Sequence, residues 1–128
     1  MFNKEKSYFK DKLTAVQRMI WDLEFKRFKS LEVREISRKQ YDNLNAKLHA
    51  IPKEEDIKDE AEKGKIKDQR AILERDIENY KGQMNLIDLE VNGSKPTNQY
   101  PEGYTGISDQ LEALRELQGM VKNYIKKL

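Results

Sequence analysis

One histidine, a few carboxylate pairs and two short glycine-containing motifs are the residues of this chain whose types could do chemistry. His49 could serve as an acid–base group or a metal ligand. No acidic residue stands three or four positions before it, so the Glu-x-x-His pair by which helical bundles bind metals is missing. A surface histidine beside a turn is expected. Glu74 and Glu78 share a helical face, with Asp88 further along. A carboxylate pair does acid–base work when burial raises one pKa. The apolar spacing puts these residues off the seam, which makes them a solvated face. Gly103-Tyr104-Thr105-Gly106 could hold an anion on free amides at a helix start, but alone it reads as a plain loop. Neither Gly-x-Gly-x-x-Gly nor a P-loop, calcium loop or nucleophile elbow occurs. There is no cysteine, which excludes disulfides and thiolate metal sites. Asn92-Gly93-Ser94 matches the glycosylation triplet, which has no consequence without a secretory signal. No catalytic, cofactor-binding or metal-binding residue is assigned, and a non-enzymatic role is expected.

Binding residues are easier to find. Trp21, Phe25 and Phe28 follow a 4-3 spacing that puts three large rings on one helical face. Such a stripe is core more often than interface; left uncovered, it marks a partner surface. Tyr100 and Tyr104 flank Pro101 in a loop, where tyrosines supply binding area at low entropic cost. The plainer expectation is a strap whose tyrosines cover the end of a bundle. Arg27, Arg34 and Arg38 lie at spacings of 7 and 4, as a phosphate-binding stripe would. Long cations also cover apolar seams with their methylenes, and Glu24, Glu32 and Glu35 blunt the local field.

The elements that must position these residues are helices. Phe9, Leu13, Val16, Ile20 and Leu23 recur at 4-3-4-3, a heptad seam. The pattern passes Leu31 and Ile36 with a phase shift and resumes at Tyr41, Leu44, Leu48 and Ile51. No Gly or Pro falls between Phe2 and Ile51. One helix over about 3–50, roughly 45 residues and about 70 Å long, is the simplest reading. Asn3 is its expected N-cap. Pro52 ends it, and Glu54-Glu55-Asp56 suits the start of the next helix. That second helix is expected over about 53–90. Its seam is Ile66, Leu73, Ile77, Tyr80, Met84, Ile87 and Val91, behind a charged, solvated tip around Gly64. Asn92-Gly93 supplies a left-handed stop. A Pro/Gly-rich loop covers 92–106. Ser108 caps a third helix over about 108–127, whose heptad Gln118 interrupts. Two apolar faces on the N-terminal half of the first helix imply two neighbours there.

Composition agrees. Of 128 residues 38% are charged, which leaves a thin core of the kind elongated helical proteins build. The 25 basic and 23 acidic residues nearly balance, and the net charge of +2 is too small to suggest nucleic acid. No apolar run follows the basic N-terminus as in a secretory leader, and none approaches a membrane span.

The expected fold is all-α: one elongated domain, a long antiparallel coiled-coil hairpin with a shorter third helix packing at one end as a three-helix bundle and stalk. The expected role is that of a structural or interaction protein with no cofactor. It would be a coiled-coil adaptor or assembly component that docks a protein partner, a second copy of itself, or a larger particle such as a viral, phage or ribonucleoprotein assembly. The alternative is an RNA- or DNA-associated helical protein using the basic stripe. No membrane partner is expected. The expected location is the cytoplasm or a macromolecular assembly, not the secreted space.

Overall fold

The computed structural model describes residues 2–128. The fold is all-α. Three helices follow one another: α1 (Phe2–Ala50), α2 (Glu60–Asn92) and α3 (Ile107–Lys127), with a 3₁₀ turn at Glu54–Asp56. No strand occurs among the described residues; Ser94 and Tyr104 form one isolated antiparallel bridge. α1 packs against α2 and against the shorter α3. The chain divides into two compact units, residues 31–87, and residues 1–30 with 88–128.

α1 is 49 residues long, and its less exposed positions trace one register. Phe9, Leu13, Val16, Ile20, Leu23, Arg27, Ser30, Arg34, Ser37, Tyr41, Leu44 and Leu48 are each buried or half-buried at an unbroken 4-3 spacing, which half-buried Ile51 continues just past the helix end. There is no phase shift. Its middle positions are polar, and the apolar residues that suggested a shift, Leu31 and Ile36, are exposed. Asn3 lies inside the helix rather than capping it.

In the unit of residues 31–87, the two helices join through the Pro52 turn. α1 ends at Ala50, because proline forces the residue before it out of helical geometry. Arg70 donates to the Pro52 carbonyl at 3.3 Å. α2 starts at Glu60, later than Lys53. The acidic triplet forms the 3₁₀ turn, and the cap is Asp59, whose Oδ1 accepts from Ala61 N–H at 3.1 Å. Ile77 and Met84 are buried. Ser37, 2% exposed, donates to Gln83 Oε1 at 3.1 Å. Partners step down α2 as they step up α1, so the pair is antiparallel.

In the other unit, residues 2–30 of α1 meet α3, with only the last turn of α2 present. Val16, Ile20, Ile107 and Leu111 form the core, and Leu23, Leu114 and Leu117 pack against it. Gln118 does not interrupt the α3 seam; it sits on it and donates to Gln17. Phe9 meets Tyr124 with ring centroids 4.8 Å apart, and Arg115 pairs with Glu24 at 2.7 Å. This pairing is also antiparallel.

The loop between α2 and α3 is tied to itself. Gly93, with φ +71°, gives α2 a left-handed stop. Ser94 and Tyr104 exchange two backbone hydrogen bonds of 2.9 Å. Between them, the Tyr100 carbonyl accepts from Thr97 and Gly103 N–H at 2.8 and 2.9 Å. Gly106, not Ser108, precedes α3 as its cap residue. A Cβ there would stand 2.5 Å from the Val91 carbonyl oxygen.

Candidate protein-interaction face

Residues on a helix advance about 100° each, so Trp21, Phe25 and Phe28 fall within an arc of roughly 60°. Ile20, in the core, lies about 100° away around the same helix. α3 occupies the Ile20 side and leaves the Trp21 side open. Trp21 is 62% exposed, Phe25 64% and Phe28 65%. Of the two alternatives the sequence leaves for this stripe, core or partner surface, the fold keeps it out of the core. The N-terminal half of α1 has two apolar faces, and α3 fills only one of them.

The rim of the stripe is polar. On one edge, Glu24 is held by Arg115 and Gln17 by Gln118. Near the Trp21 end, Gln17, Arg18, Gln118 and Lys122 help line a shallow groove of about 400 Å³ beside the indole. On the other edge, Lys29 stands 5.2 Å from the centre of the Phe25 ring, a cation–π contact. A dense apolar centre with a polar rim is the anatomy of a protein interface. Lys122 could not be assigned to the stripe from sequence, because its place depends on how α3 registers against α1.

The other candidates are placed as follows. Tyr100 and Tyr104 come together, edge to face with centroids 5.4 Å apart. Tyr100 is half-buried and Tyr104 is 38% exposed. Their loop is closed on itself by the Ser94–Tyr104 bridge. Arg27 is half-buried and donates to Ser108 Oγ at 3.3 Å. Arg34 is half-buried on the seam. Arg38 is exposed but committed: it donates to Glu35 at 2.5 and 3.0 Å and to Asp42 at 2.7 Å. Those bonds hold the Glu35 carboxyl below its ordinary range and raise the Arg38 guanidinium, the Arg38–Glu35 hydrogen bond being the largest cause of both. The three arginines do not make a free cationic stripe.

His49 is exposed in the last turn of α1, with Nδ1 2.7 Å from the Asn45 carbonyl oxygen. Glu74 and Glu78 are exposed on α2. No group of three or more His, Asp or Glu side chains among the described residues is arranged to hold a metal ion. Among the described residues, no helix is long and apolar enough to cross a membrane. Comparison of the chain with protein-family models, with curated proteins and with solved structures finds no match in any of the three.

Proposed function

We propose that this chain is a non-enzymatic interaction protein, a coiled-coil adaptor or assembly component that docks a protein through the Trp21, Phe25 and Phe28 face of α1. One observation carries the reading: three large aromatic side chains share one face, each more than three-fifths exposed. Scattered exposed apolar residues are ordinary, whereas a contiguous aromatic patch is kept off monomer surfaces unless something covers it. Aromatic residues also dominate the binding energy of protein interfaces. The nucleic-acid reading is less favoured, because Arg38 already serves two carboxylates and Arg27 a hydroxyl.

Photo-crosslinking tests the reading. A benzophenone side chain placed at position 21, 25 or 28 in the cells that make the protein is expected to give an adduct of discrete mass. The control is position 19, which is exposed but lies about 160° around the helix from Trp21. The proposal fails if the stripe positions give nothing beyond what position 19 gives.

A further inference from the structure

We infer that the occupant of the Trp21 face is a second copy of this chain, laid antiparallel across it. The inference rests on the proposed reading of the stripe as a docking face and names its partner. Charge complementarity selects the partner and its direction. Asp22 and Lys29 are both exposed, lie on the same edge of the stripe and are seven residues apart. A two-fold axis passing between Phe25 and Lys26 sets Asp22 of each copy opposite Lys29 of the other. One pair of residues thus makes two ion pairs, as an isologous interface requires. The same axis passes between the two Phe25 rings and sets Phe28 of each copy beside Trp21 and Phe25 of the other, about two residues off level.

A parallel arrangement would instead aim Glu24 at Lys29 of the second copy. Glu24 already belongs to Arg115, at 2.7 Å. The antiparallel arrangement leaves that bond intact and uses Asp22. The opposite edge carries the neutral Glu24–Arg115 pair and so raises no net like-charge barrier to a copy. Three aromatic residues per copy make a small interface, of the class that weak and transient complexes use.

Trp21 is the only tryptophan, so its fluorescence reports on the stripe alone. Sedimentation across micromolar concentrations is expected to show a monomer–dimer equilibrium, with Trp21 emission moving to shorter wavelength as dimer forms. Asp22→Lys sets like charges opposite each other twice and is expected to weaken association by about tenfold or more. Adding Lys29→Asp in the same chain restores it. Both positions are exposed, and unchanged helical circular dichroism confirms that the variants fold.

A monomer at every concentration, with unshifted Trp21 emission, overturns the inference. So does association that survives Phe25→Lys/Phe28→Lys, which would put the contact on another face. Failure of the double charge reversal to restore what the single reversal lost overturns the antiparallel direction. A monomer whose stripe still crosslinks to a different protein defeats the second copy but keeps the docking role; no adduct at all defeats the docking role itself.

Discussion

Single residues carry the tightest constraints. Leu111 is fully buried between α1 and α3. Leu111→Ala is expected to destabilise the fold by about 2–5 kcal/mol, read as a lower urea midpoint. Glycines divide by place. At Gly93 a Cβ would meet the Tyr104 carbonyl oxygen and the Gly106 nitrogen, and φ is positive, so Gly93→Ala costs about 1 kcal/mol or more. Gly64 lies within α2 with nothing near a built Cβ. Gly64→Ala is expected to raise stability by about 0.5–1 kcal/mol; melting temperatures of the two variants should move in opposite directions. The Glu35–Arg38 bond gives a pH dependence. Its folded-state carboxyl value is lowered, so its small contribution is present above the ordinary carboxylate range and is lost as pH falls through the lowered value. The gap in urea midpoint between the native chain and Glu35→Gln is therefore expected at neutral pH and closes in acid. Pro52 and Gly93 were legible in the sequence because each imposes its backbone geometry wherever it stands. The capping roles of Asp59 and Gly106 were not. An acidic triplet closer to Pro52 offered an equally good helix start, and Gly106 is set by how closely the α2 end approaches it.

Among the elements, α1 shows what spacing can and cannot reveal. The ends of its seam, Phe9 to Leu23 and Tyr41 to Ile51, are apolar and were readable. The stretch between them was not, because Arg27, Ser30, Arg34 and Ser37 hold seam positions while Leu31, Val33 and Ile36 sit outside. Apolar periodicity follows burial only where burial is apolar. Gln118 misled in the same way. It fills a seam position because Gln17 meets it, a match no single helix displays. The pair makes a prediction about coupling. Replacing either glutamine alone by leucine is expected to destabilise, since the remaining half-buried amide loses its partner. Replacing both recovers or exceeds the native stability, with a coupling of about 0.5–3 kcal/mol. A double-mutant cycle in urea measures it. The candidate face was half legible: the 4-3 spacing gave Trp21, Phe25 and Phe28 as one stripe, but which neighbour α3 would choose decided that the stripe stays open.

At the scale of the whole molecule, composition alone pointed to helices, since 38% charged residues leave a core only a seam wide. Near-balance of charge also predicts how the chain meets polyanions. With a net charge of +2 and Arg38 neutralised locally, the protein is expected to leave heparin below physiological salt; retention well above it would favour the nucleic-acid reading. The order of the helices has a further effect, in time. Gln17 meets Gln118 across 101 residues of chain, which at about 5–20 residues per second is a wait of roughly 5–20 s on the ribosome. Until α3 is made, the emerging α1 shows water the Val16–Ile20 face together with the Trp21 face. How long a helix with two open apolar faces meets the crowd around the ribosome is then set by the pace of translation, whatever the stability of the finished fold.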